Sequence, residues 1–196
     1  MIVGLTGGIG SGKTTILKQF EQFKNVAIYM ADQEARNVIN TSKTIRKEII
    51  KEFGEQAYVD NHINRPFIAN IVFKDSAKLA KLNAITHPIV KEHFQNFIKH
   101  HRTKSYIVYE NAILFEIGSD ALCDKVITVT APIENRIERV MKRDNTTKAE
   151  IENRIKNQWI EAKKIIQSHY IIENIILEES VLKVLEIHNK LTKNRL

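Results

Sequence analysis

Apolar residues recur along the chain in two rhythms, and their alternation outlines the fold. Ile2 to Thr6 is a short apolar run suited to a buried strand, and beyond a glycine-rich break Ile16, Leu17, Phe20 and Phe23 return at helical spacing. Val26 to Met30 predicts a second strand. From about Asn40 to His101 the pattern is helical throughout, with Ile45, Ile49, Ile50 and Phe53 on one face and Gly54 placed to stop that helix. Pro66 and Pro88 each predict the first turn of a new helix, the second carrying Ile89, Val90, His93, Phe94, Phe97 and Ile98 along one side. Strand-like runs return at Tyr106 to Glu110 and Lys125 to Val129. The polar helical segment that follows has a capping-box spacing at Thr147 and Glu150, and Arg136, Arg139 and Arg143 on neighbouring helix positions. Tyr170 to Ile172 predicts a last short strand, and Val181, Leu182, Val184, Leu185, His188 and Leu191 an amphipathic closing helix.

Strands alternating with helices predict an α/β protein with a parallel sheet flanked by helices, interrupted by an all-α insertion. At 196 residues, 43% hydrophobic and 27% charged, the composition is that of an ordinary globular chain with room for one core and an insertion. Thirty Lys and Arg against 23 Asp and Glu leave a net charge of +7, which favours phosphate-rich partners without choosing among nucleotides, nucleic acids and anionic membranes. The single cysteine, Cys123, excludes an intramolecular disulfide and a multi-cysteine zinc site, and with the absence of a signal-like N-terminus it points to a cytoplasmic setting. Glu173 and Asn174 break the late apolar run, so no membrane span is expected.

The first glycine-rich break is the most specific chemical signal. Gly7-Gly8-Ile9-Gly10-Ser11-Gly12-Lys13-Thr14 fits G-x-x-x-x-G-K-[ST] between a predicted strand and a predicted helix, the context a phosphate-binding loop requires. Backbone N–H groups must converge on a phosphate there, and side chains would obstruct the approach. Lys13 suits the β and γ phosphates of a nucleotide, the Thr14 hydroxyl suits Mg²⁺, and the helix that follows aims its N-terminal dipole at the same group. The chain has no Asn-Lys-x-Asp for reading guanine, and a small core with a helical insertion and an arginine-bearing segment is the plan of a small-molecule kinase.

Asp32 follows the second strand at the carboxyl edge of the sheet, where open α/β sheets bind ligands. It suits two roles, accepting the proton of an attacking hydroxyl or capping the helix with Ala35, Val38 and Ile39. Arg36 stands one turn on. Glu110 at the end of the third strand suits a group near Mg²⁺ or simply a polar strand end. His62, His100 and His101 lack the spacing of a metal site, and Trp159 suits packing at a hinge better than stacking on a base. The basic run from Lys190 to Arg195 reads as a solvated helix end.

Leu5-Thr6-Gly7-Gly8-Ile9-Gly10-Ser11-Gly12-Lys13-Thr14, Ala31-Asp32 with Ala35-Arg36, Phe53-Gly54, Asn64-Arg65, His87-Pro88, Leu114-Phe115-Glu116, Arg139 with Arg143-Asp144, Gln158 and Ile172-Glu173-Asn174 follow one another in an order that resembles the dephospho-CoA kinases over almost the whole chain. The resemblance implies transfer of the ATP γ-phosphate to the ribose 3′-hydroxyl of dephospho-CoA. It implies a nucleotide core at 1–40, 104–135 and 166–196, a helical acceptor insertion at 41–103 and a lid at 136–165. It further implies that Gly10, Ser11, Gly12, Lys13, Thr14 and Thr15 hold ATP, that Asp32 is the catalytic carboxylate, and that Arg139 and Arg143 reach the triphosphate. Thr6, Asp32, Arg36, Arg65, His87 and Asn174 are expected at the acceptor. Ile63-Asn64-Arg65, Ala112-Ile113-Leu114 and above all Ser168-His169 depart from the family's usual residues. Another small-molecule kinase, of the shikimate or gluconate type, is the alternative, although the Gly-Gly-Arg stretch of shikimate kinases is absent. A nucleic-acid-binding switch would rest on the net charge alone, and no nucleic-acid partner is expected.

Overall fold

The computed structural model describes residues 1–193, so Arg195 of the basic tail lies outside the described residues. In chain order the regular elements begin with β1 (Ile2–Thr6), α1 (Lys13–Glu21), β2 (Val26–Met30), α2 (Ala31–Thr41) and α3 (Lys43–Phe53). They continue with β3 (Tyr58–Val59), β4 (His62–Ile63), α4 (Arg65–Val72), α5 (Ser76–His100), β5 (Tyr106–Glu110) and β6 (Lys125–Thr130). The last are α6 (Ile133–Asp144), α7 (Lys148–Lys156), α8 (Glu161–Gln167), β7 (Tyr170–Glu173) and α9 (Leu177–Lys193). They form two compact units, one of Ala31–His100 and one of Met1–Met30 with the chain from His101 onward. The helical unit therefore includes α2, and the 136–165 segment packs as part of the sheet unit.

The sheet unit carries five parallel strands in the order β2-β5-β1-β6-β7. β1 lies in the middle, so both of its faces are covered and Val3 and Leu5 are completely buried. Ile16, Leu17 and Phe20 of α1 and Val184, Ile187 and Leu191 of α9 pack with the strand residues Val3, Leu5, Val108, Ile127, Val129 and Ile172 in one apolar core. The buried stripe of α9 is narrower than its pattern predicts. Val181, Leu182 and Leu185 are 37%, 67% and 45% exposed, while Ser180 is buried because its hydroxyl donates inward.

Two polar pairs are built into this unit. His188 stacks on Phe23 with ring centroids 3.7 Å apart, and its Nδ1 lies 2.8 Å from the Tyr106 hydroxyl. Burial pushes the His188 imidazole below its ordinary value. Lys164 of α8 is 1% exposed and meets Glu116 at 2.7 Å, and its Nζ also donates to the Ala112 carbonyl at 3.2 Å. Burial opposes the charge of Glu116, but the bonds from Lys164 and from the Trp159 amide outweigh it and hold the carboxyl below its usual range. Ser168 and His169, the clearest departures from the family's residues, serve the sheet: Ser168 Oγ lies 2.6 Å from Thr128 Oγ1, and Val126 N–H donates to His169 Nδ1 at 3.1 Å.

The helical unit packs around Val38, Ile45, Ile49, Phe53, Ala57, Tyr58 and Ile68. Gly54, at φ 89°, ends α3 by donating its N–H to the Ile50 carbonyl, and Asn64 caps α4 by accepting from Phe67 N–H with Pro66 in the first turn. Two expectations are corrected. The insertion is not all-α, because Asp60 and Asn61 take left-handed φ values of 48° and 66°, which fit a two-residue hairpin turn joining β3 to β4. Pro88 does not open a helix either, and α5 runs through it from Ser76 to His100. An interior proline costs about 3 kcal/mol through its missing N–H and ring clash. Leu82, Ile85, Ile89 and Val90, from both sides of it, anchor α5 on the same core and offset that cost.

Two stability effects follow. Lys164→Met is expected to lower the unfolding free energy by about 3 kcal/mol in a urea titration, because it leaves the Glu116 carboxylate buried without its cation. Acid should also destabilise the fold through His188, whose neutral form contributes fully above an unfolded-state value of about 6.5. Below that pH the unfolded chain takes up a proton that the folded chain resists, so stability falls until the lower folded-state value is passed. Between pH 7 and 5.5 the melting temperature of the wild type should fall more steeply than that of His188→Asn, and parallel curves would exclude the effect.

Candidate active site

Thr6 ends β1 at the carboxyl edge of the sheet, and the next six residues turn directly into α1. Gly12 caps α1 in a left-handed conformation, φ 89° and ψ 25°, and no side chain accepts from the first turn. The helix N-terminus thus presents donors that an external anion can take. Lys13 folds back over the loop and donates to the Gly7 carbonyl at 2.9 Å, while the side chains of Thr14 and Thr15 are exposed. Ser11 is buried, and its Oγ has no hydrogen-bond partner among the described residues.

The loop has few bonds of its own beyond Ser11 N–H to the Gly8 carbonyl at 3.1 Å, so neighbouring elements brace it. Gln158 Oε1 accepts from Ile9 N–H at 2.9 Å, and Arg136 Nε donates to the Ile9 carbonyl at 2.9 Å. Arg136 is 5% exposed, with Nη1 3.4 Å from Glu161. Its position explains two glycines. A Cβ on Gly8 would run into the Arg136 guanidinium, and one on Gly10, already at φ 78°, would strike the Arg136 main chain. On the other side, Asn174 Nδ2 donates to the Ser11 carbonyl at 2.9 Å and Asn174 Oδ1 accepts from Ser180 Oγ at 3.3 Å.

Arg139 sits one helical turn beyond Arg136. Its Nη2 donates to the Asn174 carbonyl at 2.8 Å, and its Nη1 is buried with no partner among the described residues, beside Gly12. A buried N–H left unpaired costs about 1–3 kcal/mol, so this arm suits an incoming acceptor. Arg143 is exposed and forked onto Asp144 at 2.7 and 3.0 Å, and Asp144 also accepts from Arg154 at 3.1 Å. Both partners are thereby held charged, with Asp144 below and Arg143 above its ordinary value. Glu110 ends β5 in register with Leu5 of β1 and Met30 of β2, which puts it at the same edge as the loop.

Two residues expected at the acceptor are engaged within the fold. Thr6 is completely buried and its hydroxyl donates to the Ala112 carbonyl at 3.4 Å. Asn174 is 6% exposed with both amide atoms engaged, which makes it a brace of the loop. Trp159 packs against Phe115 with centroids 6.0 Å apart and carries Lys163 Nζ 3.3 Å over its ring, which leaves it a packing residue. In the helical unit Asp32 lies in the first turn of α2, Arg36 one turn on, Arg65 at the start of α4 and His87 just before Pro88, all exposed. The braces Glu161 and Ser180 were not singled out by the sequence, and Arg136 was noted only for its helix position beside Arg139 and Arg143, with no role given to it. A signal existed for Arg136, three residues before Arg139 on the same helix face, but nothing local says that it is buried.

A family model for dephospho-CoA kinase matches residues 1–178. A Bacteroides fragilis dephospho-CoA kinase is 34% identical over 185 residues, 94% of this chain and 90% of the relative. A Fusobacterium nucleatum dephospho-CoA kinase is 36% identical over 187 residues, 95% of each chain. Among solved structures, one from Thermus thermophilus superposes with a TM-score of 0.86 at 26% identity, covering 97% of this chain and 96% of the other. The dephospho-CoA kinase of Campylobacter jejuni, with a TM-score of 0.70 at 22% identity and coverage of 100% and 98%, shares the fold. With the matched residues spanning the phosphate loop, the helical unit and the arginine-bearing helix alike, the chain belongs to the dephospho-CoA kinase family.

Proposed function

We propose that this chain transfers the γ-phosphoryl group of ATP to the ribose 3′-hydroxyl of dephospho-CoA, giving coenzyme A and ADP. The observation that carries the reading is that the family match runs through the helical unit as well as the loop, because a phosphate loop alone is common to kinases of many acceptors. The bond from the 3′-oxygen to phosphorus forms as the bond from phosphorus to the β–γ bridging oxygen breaks, and ADP leaves with that electron pair.

In this reading Lys13 leaves the Gly7 carbonyl for the β and γ phosphates, while the amides from Gly10 to Thr15 cradle them. The unpaired arm of Arg139 takes a phosphate oxygen, and Arg143 exchanges Asp144 for another, so that planar donors follow the charge on the transferring group. Asp32 accepts or orients the proton of the 3′-hydroxyl, and Arg36, Arg65 and His87 recognise the phosphates of dephospho-CoA. The segment 41–103 supplies acceptor binding and 136–165 the lid that excludes water. The residues present fit Mg²⁺ as kinases hold it, through few protein ligands: Thr14 is exposed on the loop, Glu110 lies at the same strand edge, and no cluster of three metal-ligating side chains occurs among the described residues. When bound, the ion would neutralise charge on the β and γ oxygens. No helix among the described residues is long and apolar enough to cross a membrane, which together with the lone Cys123 supports a cytoplasmic enzyme.

A coupled ADP-release assay should show turnover with dephospho-CoA, and turnover with shikimate or gluconate instead would overturn the assignment. Asp32→Ala should lower kcat by about a hundredfold or more and leave the KM for ATP within about threefold, as expected of a group that acts in the transition state. An equal loss in both would make Asp32 structural.

A further inference from the structure

Among the described residues, Ile9 is the one of the phosphate loop whose N–H and carbonyl are both held by side chains from outside the loop. Gln158, in the α7–α8 connection, accepts from its N–H at 2.9 Å, and Arg136, in α6, donates to its carbonyl at 2.9 Å. We propose that Arg136 and Gln158 are a pair of positioning residues that fix the orientation of the two peptides meeting at Ile9, and through them the amides that receive the nucleotide phosphates.

The physical case begins with the loop itself. A glycine-rich stretch has many backbone orientations of similar energy, and phosphate binding uses only the one in which successive N–H groups converge. With the Ile9 N–H committed to Gln158 and its carbonyl to Arg136, neither of the two peptides that meet at Ile9, Gly8–Ile9 and Ile9–Gly10, can rotate without breaking a bond. Rotation would turn a carbonyl oxygen toward the anion or withdraw a donor from it.

Each holder is itself held. Arg136 is buried, pairs with Glu161 at 3.4 Å, and fills the space beside Gly8 that any other residue's Cβ would need. Gln158 adjoins Trp159, whose N–H donates to Glu116 at 2.9 Å, whose ring stacks on Phe115, and whose carboxylate partner Glu116 is locked by the buried Lys164. Both supports belong to the 136–165 segment and its flank, so the segment read as a lid also determines the shape of the floor beneath it. Neither residue needs to touch the reacting atoms.

The proposal rests on the loop being the nucleotide site, and the experiment separates the two. Wild type should first bind ADP by calorimetry, since a wild type that does not bind ADP refutes the loop's role and the clamp with it. Gln158→Leu, close in size but without the acceptor, should then weaken ADP binding about tenfold or more while leaving the KM for dephospho-CoA within about twofold. Amide exchange at Ile9 should accelerate in the same variant. Arg136→Lys keeps a cation for Glu161 but loses the planar Nε donor, and should weaken ADP binding to a similar degree. Because both hold the loop at the same residue, through adjoining peptides, the double variant should lose little more than the worse single one, whereas unrelated lesions would multiply. Folded Gln158→Leu and Arg136→Lys proteins that bind ADP within about twofold of wild type would overturn the proposal. If one variant fails to fold, the same comparison in the other decides.

Discussion

Backbone amides aimed at an anion cannot also be paired with one another, and the rest of the sheet unit is arranged around that constraint. A helix or strand satisfies its own N–H and C=O groups, but a phosphate cradle must leave several open and still hold its shape. The stiffness therefore comes from outside. β1 supplies a fixed starting point because it is the central strand of a parallel sheet, paired to β5 on one side and β6 on the other. α1 supplies a fixed end through its burial by Ile16, Leu17 and Phe20. Between them, contacts from Arg136, Gln158 and Asn174 tie down the carbonyls and the amide that the phosphates do not use.

The same logic explains why so much polar material is buried near one edge of the sheet. Lys164 with Glu116, Arg136 with Glu161, and Asn174 with Ser180 are each pairs or small networks in which burial is tolerated because partners are in place. They contribute less to net stability than an apolar core of equal volume would, but they have direction, which an apolar contact lacks. The Arg139 arm beside Gly12 and the Ser11 hydroxyl are buried without a hydrogen-bond partner among the described residues, as is one carboxylate oxygen each of Glu116 and Glu161.

What could be read from the sequence divides along physical lines. The strand, loop and first helix were legible because apolar period, glycine placement and the Lys-Thr pair are all local and agree. The capping box of Thr147 and Glu150 and the Asn64 cap were equally local. The hairpin of β3 and β4 was not, since two-residue strands have no period and Asp60-Asn61 is a weaker turn signal than one containing glycine. Pro88 misled because the packing that holds both halves of α5 is tertiary. Thr6 and Asn174 lie at the expected end of the sheet, and their burial there was not legible, because it depends on partners in distant segments. The clamp on Ile9 joins residues 127 and 149 positions apart, a distance that no pattern within a single chain segment reveals.

The fit of the Arg136 guanidinium into the space beside Gly8 has a consequence for how this sequence can change. Positions 8 and 136 are occupied by the smallest side chain and one of the longest, and the guanidinium takes the space that a Cβ at position 8 would enter. Shortening 136 opens a gap over the loop, and enlarging 8 evicts the guanidinium from its bond to Ile9. A change at position 8 therefore acts on a bond made by position 136, although more than a hundred residues lie between them.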